Sequence, residues 1–188
     1  GVRAQPNQIP RVRRDLRLHE HDVEQAARSG AVGPRRAREH PDLHTPRAGV
    51  QQHACHLGGG FAGLLAGAYL KKSGVDGIRV IEMAGDFGGV WYWNRFPGIQ
   101  CDNDAYCYLP LLEETGFMPS KKFTDGHEIR EDSQRIAKKY NLYENALFHT
   151  MVESLRWDEG LKRWRISTRQ GDDIRARFVI MANGLLSI

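Results

Sequence analysis

The sequence predicts an α/β fold, with a parallel sheet that starts as a β–α–β unit and contains an antiparallel excursion. Three observations predict it. A glycine-rich turn, GGGFAG, runs from Gly58 to Gly63 and is followed by a helical apolar pattern. The β-branched run IRVI then ends at the acidic residue Glu82. Further along, between residues 150 and 177, two strand-like stretches flank a DEG turn, which is typical of antiparallel strands.

Composition divides the chain into an arm, residues 1–52, and a partial domain, residues 53–188. The arm contains ten Arg and no Lys, five of the eight Pro, and no aromatic residue, Met or Cys. Such a segment cannot bury enough apolar surface to offset its ordering entropy, so we expect it to be disordered. The abrupt change in composition also suggests that the arm derives from a displaced reading frame.

The charge and the cysteines restrict the partners of the chain. Ten basic and six acidic residues give the arm a charge of +4, but no aromatic side chain is interleaved for base stacking, so we expect no nucleic-acid partner. No stretch approaches the ~20 apolar residues of a membrane span. Cys55, Cys101 and Cys107 lack a paired metal spacing, so we expect no metal site and a reducing, cytoplasmic location.

The strand before the glycines is the least typical element. A central parallel strand is buried on both faces and usually forms a continuous apolar run. Here the segment from Gln51 to Leu57 reads QQHACHL. Burying two Gln and two His without partners would cost about 1 to 3 kcal/mol per group, so the sequence predicts an impaired first strand.

The glycine turn and Glu82 have the spacing of a dinucleotide site. Gly58 allows the tight turn, Gly60 lets the backbone approach a pyrophosphate, and Gly63 lets the next helix pack on the sheet. The helix N-terminus favours negative charge, so the phosphates would bind there. Glu82 follows Gly58 by 24 residues, near the roughly 20 expected for a carboxylate that accepts ribose hydroxyls. The alternative is a purely structural turn.

Further elements follow from local patterns. The segment FAGLLAGAYLKK has apolar residues at positions that predict one buried helix face, namely Phe61, Leu64, Leu65, Ala68 and Tyr69. A second helix is expected from Gly126 to Tyr140. His149 lies in ALFHTMV, an apparent strand, and is interpreted as a core or edge histidine. Trp157 and Trp164 flank the DEG turn, where cross-strand packing explains them without a ligand.

The block from Gly85 to Pro110, GDFGGVWYWNRFPGIQCDNDAYCYLP, combines glycines with aromatic residues. Gly88 and Gly89 permit close backbone approach, while the neighbouring aromatic side chains offer flat apolar faces suited to a ring system. An aromatic core cluster is the alternative. It would explain the rings but not the glycines and charges interspersed with them.

Taken together, GGGFAG, Glu82 and GGVWYWNRFPGIQCD resemble the flavin-containing Baeyer-Villiger monooxygenases, a family of flavoprotein monooxygenases. The resemblance runs from about Leu57 to Ser187 and covers none of the arm. It implies a Rossmann-like FAD-binding domain, truncated here to an N-terminal fragment. Because the chain ends before the second, NADPH-binding glycine motif of that family, we expect it to be catalytically incomplete.

The resemblance implies a role for each matching position. The FAD pyrophosphate would be held by Gly58, Gly60, Ala62 and Gly63, and the adenosine ribose by Glu82. The flavin half would lie along Gly89, Val90, Trp91, Tyr92 and Trp93, with Asp102 and Tyr108 near its ring. Val152 would meet the adenine, and Ala182 would lie close to the cofactor. Gln100, Cys101 and Asp102 would border the nicotinamide of NADPH, and Asp102 would be catalytic, acting by electrostatics on an arginine from a later part of such enzymes.

The implied activity is NADPH-dependent insertion of one oxygen atom of dioxygen next to a ketone carbonyl, with FAD carrying the chemistry. A small-molecule ketone and dioxygen are thus the substrates expected of the parent enzyme. Two alternatives stay open. One is an FAD- or NAD-dependent oxidoreductase of another class, and the other is a non-enzymatic remnant of a monooxygenase.

Overall fold

The computed structural model describes residues 48–185, so most of the expected arm, residues 1–47, lies outside the described residues. The described part contains six strands and five α-helices. In chain order they are β1 (Ala48–Leu57), α1 (Phe61–Lys72), β2 (Ile78–Ile81), α2 (Val90–Trp93), α3 (Ala105–Tyr108), α4 (Leu112–Thr115), α5 (Gly126–Lys139), β3 (Ala146–Leu147), β4 (Val152–Asp158), β5 (Arg163–Thr168) and β6 (Asp173–Met181).

All six strands form one sheet, in the order β3-β2-β1-β6-β5-β4. The first four strands of that order run parallel, with β1 between β2 and β6. β6 then pairs antiparallel with β5, and β5 pairs antiparallel with β4. The predicted α/β fold, with a β–α–β start and an antiparallel excursion, is confirmed.

β1 forms despite its polar residues, and it begins at Ala48, five residues before the boundary that composition predicts. Gln51 and His53 are exposed, so the expectation that both would be buried is wrong. The reason is that β2 pairs with β1 only from Ala54 onward, which leaves the first half of β1 at the margin of the sheet. His56 is fully buried, as expected of a central strand.

α1 has the predicted bounds, and of the predicted inward residues Leu64 and Ala68 are buried while Phe61 and Leu65 are half-buried. Its buried residues are Gly63, Leu64, Gly67 and Ala68, whereas Tyr69 is exposed, contrary to the prediction. Glycines rather than aromatics face inward because the helix lies very close to its neighbours. A Cβ atom at Gly67 would stand 2.9 Å from the side chain of Leu142.

The core consists of three clusters of buried side chains. One lies between β1, β2 and the antiparallel strands and includes Leu57, Ile81 and Ile174. A second packs α1 and α5 against β2, with Phe87 at its centre. A third, around Trp91, joins α2 and α3 to α5.

Three smaller predictions can be compared with the structure. α5 spans Gly126–Lys139, and the predicted helix differs from it by one residue. Trp157 and Trp164 lie directly opposite each other in β4 and β5, with ring centroids 5.6 Å apart, as predicted. His149 is not in a strand, because β3 ends at Leu147 and His149 has a φ of 52°.

Within residues 48–185, no helix is both long and apolar enough to cross a membrane. The same residues contain no group of three or more His, Cys, Asp or Glu side chains that could hold a metal ion. Cys55, Cys101 and Cys107 are free thiols.

Candidate functional site

A cavity of about 880 Å³ opens at the carboxyl ends of the parallel strands. Leu57, Ile81 and Met181, the last residues of β1, β2 and β6, all line it. This edge of an open α/β sheet is where such folds bind ligands. The wall is completed by the start of α1, by α2 except Tyr92 together with the two glycines before it, and by the segment from Thr150 to Leu155.

The glycine turn after β1 has no room for side chains. Gly58 has a φ of +123°, and a Cβ atom there would lie 2.2 Å from the carbonyl oxygen of Ala182. At Gly63 a Cβ atom would lie 1.9 Å from the carbonyl oxygen of Gly58. The turn is therefore held tightly between α1 and the end of β6, as the sequence predicts for a helix packed closely on its sheet.

A second glycine contact brings the turn against the loop that follows β2. A Cβ atom at Gly89 would lie 2.7 Å from the Cα atom of Gly60, and Gly89 has a φ of +55°. The N–H of Gly88 also donates to the carbonyl of Gly59, at 3.1 Å. The two loops thus form a side-chain-free cradle, Gly58–Gly60 with Gly88–Gly89, over the start of α1.

Glu82 joins the same two loops through its carboxylate. One oxygen accepts the N–H of Gly59, and the other accepts the N–H of Ala84 at 2.6 Å. The residue is buried and lines the cavity. An acidic side chain at this position therefore fixes the turn after β1 relative to the turn after β2.

One wall of the cavity is aromatic. Trp91 is almost buried, and its Nε1–H donates to the Tyr108 hydroxyl at 2.9 Å. Burial raises the pKa of Tyr108, and the bond from Trp91 offsets part of that rise. Phe61 packs against the Tyr108 ring with centroids 5.5 Å apart. Trp93 is 46% exposed and offers a free apolar face to the cavity.

Asp86 holds the loop that carries this wall. Its Oδ1 accepts the N–H of Phe87 and the hydroxyl of Tyr143, both at 2.7 Å. Its Oδ2 accepts the side-chain amide of Gln134 in α5 at 2.8 Å. Burial, together with the bond to Asp86, raises the pKa of Tyr143. The Gly88–Gly89 loop is thereby fastened to α5 and to the segment before β3.

The structure brings most of the predicted site residues to one cavity. Those that line it are Gly58, Gly60, Ala62, Glu82, Gly89, Val90, Trp91, Trp93, Tyr108, Val152 and Ala182. Gly63 stands just behind the turn, where it permits the close contact with Gly58. Tyr92 points elsewhere, since the Arg95 guanidinium lies 4.6 Å from its ring centroid. Whether these residues bind a cofactor stays a prediction.

Gln100, Cys101 and Asp102 do not line this cavity. The Gln100 side chain donates to Asp125 at 2.8 Å, and Asp125 borders a separate, smaller cavity of about 280 Å³. Cys101 is buried against α5. Asp102 is exposed and accepts the side-chain amide of Asn103 at 3.3 Å. Its catalytic role stays a prediction.

Several cavity residues were not predicted from the sequence. Met83, Thr150 and Met151 line the wall without belonging to a glycine or aromatic motif. Met83 directly follows Glu82, and Thr150 follows the short strand β3. The signal that could have found them is their position just past the carboxyl end of a parallel strand.

The fold and this site define a Rossmann-like dinucleotide-binding domain. A family model described as an NAD(P)-binding Rossmann-like domain matches residues 57–115, which span the glycine turn, Glu82 and the aromatic block. A Baeyer-Villiger monooxygenase from Dietzia is 51% identical over 131 residues, covering 70% of this chain and 21% of that protein.

Solved structures agree with this relationship. The polycyclic ketone monooxygenase of Thermothelomyces thermophila matches with a TM-score of 0.72 and 35% identity, over 80% of this chain and 25% of that one. OTEMO in complex with FAD and NADP matches with a TM-score of 0.67 and 27% identity, over 72% of this chain and 26% of that one. The chain is related to the Baeyer-Villiger monooxygenases, as GGGFAG, Glu82 and GGVWYWNRFPGIQCD predict, and it spans about a fifth of the length of its curated relatives.

Proposed function

We propose that this chain is the FAD-binding portion of an NADPH-dependent Baeyer-Villiger monooxygenase. The observation that carries the proposal is the side-chain-free cradle, which faces a cavity of about 880 Å³ at the carboxyl edge of the sheet. That volume lies in the upper range of ligand pockets, so a large ligand is favoured over a small metabolite.

The cradle fits a pyrophosphate on steric grounds. Gly60 and Gly89 leave the backbone bare where their loops meet, and any side chain at Gly89 would strike Gly60. Backbone N–H groups at the start of α1 are available to anionic oxygens because the first turn of a helix lacks internal acceptors. No acidic residue occurs in that first turn to repel a phosphate.

Glu82 keeps its capacity to accept ribose hydroxyls. Each carboxylate oxygen has two lone-pair positions, and each accepts one backbone N–H here. The remaining positions are available to a group in the cavity, which Glu82 lines. Glu82 would thus orient the sugar while it continues to hold the two loops together.

The aromatic wall would position the ring system of the cofactor. Val90, Trp91 and Trp93 provide the apolar surface, and the bond between Trp91 and Tyr108 fixes the orientation of the wall. When bound, FAD supplies the redox chemistry that transfers an oxygen atom from dioxygen to a ketone. In this proposal the residues of the chain bind and orient the cofactor and exclude water around it.

The activity of the whole protein is part of the same proposal. A ketone substrate, dioxygen, NADPH as reductant and electrostatic assistance by Asp102 are proposed for an enzyme of which this chain would supply one portion. A reducing, cytoplasmic location is also proposed, with the three free thiols as its support.

A second candidate is direct binding of a nicotinamide dinucleotide in the cavity. The matching family model favours it, because its description is NAD(P)-binding. Both candidates use the cradle and Glu82, so the glycine residues do not distinguish them. The aromatic wall favours FAD, since it offers a broad apolar surface for a three-ring system.

A ligand competition experiment separates these possibilities. The purified 188-residue chain would be titrated with FAD, FMN and NADP⁺ by calorimetry, each also in the presence of a saturating amount of one of the others. The proposal expects saturable binding of FAD, much weaker binding of FMN because it lacks the adenosine half, and no displacement of FAD by NADP⁺. Preferential binding of NADP⁺, or equal binding of FMN and FAD, would overturn it.

A further inference from the structure

The antiparallel strands carry a basic surface far from the glycine cradle in sequence. Side chains alternate between the two faces of a strand, and residues directly opposite each other share a face. The buried pair Ile166 and Ile174 therefore marks the inner face. The outer face, here called the arginine face, consists of Arg156, Asp158, Arg163, Arg165, Asp173, Arg175 and Arg177.

Like charges stand directly opposite each other across this face. Arg156 in β4 pairs with Arg165 in β5, and Arg165 pairs in turn with Arg175 in β6. Opposed like charges destabilise a sheet by a few tenths of a kcal/mol or more per pair. Apart from the ion pairs with Asp173, the opposed arginines do not stabilise the sheet.

Only part of this positive charge is neutralised within the described residues. Asp173 lies between two of the arginines, with Oδ2 3.1 Å from the Arg165 guanidinium and 3.9 Å from that of Arg175. Asp158 accepts the N–H of Leu161 in the turn between β4 and β5, and its charge also acts on Arg165. The Nε of Arg175 is buried and has no hydrogen-bond partner.

The position of Asp173 shows how this surface binds a carboxylate. A carboxylate between the guanidinium groups of adjacent strands bonds to one and stays close to the other. Arg156 also lies directly opposite Arg165, and no carboxylate within the described residues makes an ion pair with Arg156 there. The Arg156 and Arg165 side chains are exposed, so an external group can reach both.

We propose that the arginine face docks an acidic polypeptide segment from outside residues 1–188, with a carboxylate of that segment between Arg156 and Arg165. Guanidinium groups favour planar, bidentate carboxylate partners. Residues 1–47 carry ten Arg and six acidic residues, so their net positive charge disfavours docking of this segment on the arginine face. A second copy of the chain, with its net charge of +4, is equally unsuited.

Nucleic acid fits this face less well. Single strands bind where aromatic side chains for base stacking lie among the basic residues. Trp157 and Trp164 are opposite each other on the other face of the hairpin, in alternation with the arginines. Without stacking residues, a row of arginines favours a partner that is recognised by its carboxylates.

The test measures binding of a fluorescein-labelled peptide of ten glutamates to the full 188-residue chain by fluorescence anisotropy at low salt. The variant Arg156→Gln/Arg165→Gln should bind about fivefold more weakly, as expected for the loss of two exposed ion pairs. The matched control, Lys138→Gln/Lys139→Gln, removes the same charge from α5 and should change affinity less than twofold. A (dT)₂₀ oligonucleotide serves as the competing ligand.

Removal of the arginines relieves like-charge repulsion but also loses the Arg165–Asp173 ion pair, so the double variant should unfold at about the same temperature as the unmodified chain. The single variant Arg156→Gln provides a second measurement. Its change in binding free energy should be about half that of the double variant. Equal weakening by the arginine and lysine variants, absence of saturable peptide binding, or tighter binding of the oligonucleotide than of the peptide would each overturn the proposal.

Discussion

The backbone N–H of Gly59 donates to the side chain of Glu82, so the acidic residue after β2 is joined directly to the glycine turn after β1. The other carboxylate oxygen of Glu82 holds the N–H of Ala84. A residue expected to bind ribose therefore also fastens two loops of the site. Its substitution has consequences for stability as well as for ligand binding.

Glu82→Gln should destabilise the domain by about 1 to 3 kcal/mol even without a ligand. The amide group of Gln accepts at only one of its two polar atoms, so one of the N–H groups of Gly59 and Ala84 loses its partner. Urea unfolding measures the change. Glu131→Gln, an exposed change in α5, is the control and should stay within 0.5 kcal/mol or so. Equal stabilities for the two variants would show that Glu82 does not hold the loops.

Gly89→Ala should abolish flavin binding. Its effect on the free energy of unfolding should be the smaller of the two. Its Cβ atom would lie 2.7 Å from Gly60 Cα and force the two halves of the cradle apart. Gly98→Ala is the matched control, because Gly98 also has a positive φ, of +79°, but has open space around its Cα atom. Both variants carry backbone strain of about 1 kcal/mol or more. Calorimetric titration with FAD should show lost binding for Gly89→Ala alone, and similar affinities would contradict the cradle.

His56 should make the domain sensitive to acid. It is fully buried, and burial lowers its pKa below the ordinary 6.5, with a partial offset from the nearby Gly63 backbone. As the pH falls below about 6.5, the unfolded chain binds a proton at His56 before the folded domain does. The free energy of unfolding therefore decreases as the pH falls below this value.

His56→Leu should therefore raise the free energy of unfolding by about 1 to 3 kcal/mol and reduce its loss between pH 8 and pH 5.5. Urea unfolding at both pH values measures this. His127→Gln, at an exposed position, is the control and should keep the pH dependence of the unmodified chain. The same acid sensitivity in His56→Leu would exclude His56 as its origin.

Asp132 should have the opposite effect on the pH dependence. Its carboxyl group is buried in α5, and burial raises its pKa to about 6. The Arg135 guanidinium, 3.8 Å away, offsets only part of this rise in pKa. Because the folded pKa lies above the ordinary 3.8, the contribution to stability is fully present below 3.8 and is lost as the pH rises through about 6.

Asp132→Asn should stabilise the domain by about 2 to 3 kcal/mol at pH 8, and the gain should shrink toward pH 4.5. Glu131→Gln, on the exposed side of the same helix, should give no such gain at either pH. A loss of stability in Asp132→Asn at pH 8 would mean that the ion pair with Arg135 outweighs the burial of the charge.

The regular elements of this domain were predictable because their determinants are local. The bounds of α1 and β2 follow from Gly60, the apolar spacing and the β-branched run IRVI. The pairing of Trp157 with Trp164 follows from the DEG turn. The relation of Glu82 to the glycine turn follows from its spacing alone, although the spacing does not reveal its backbone bonds.

The remaining features depend on neighbours that are distant in sequence. QQHACHL gives no sign that β1 extends beyond β2 and so leaves Gln51 and His53 in solvent. The close packing of α1 at Gly67 depends on Leu142, which is 75 residues further along the chain. Asp86, the anchor of the aromatic loop, is recognisable only once Gln134 and Tyr143 are placed beside it.

The visible absorption spectrum of the purified 188-residue chain, recorded after removal of free flavin, tests the central claim most directly. The account predicts a yellow protein with bound flavin that denaturation releases as FAD, and a colourless Gly89→Ala variant beside a yellow Gly98→Ala variant. A folded protein that contains no flavin and fails to acquire it when FAD is added would contradict the assignment of this cavity to FAD.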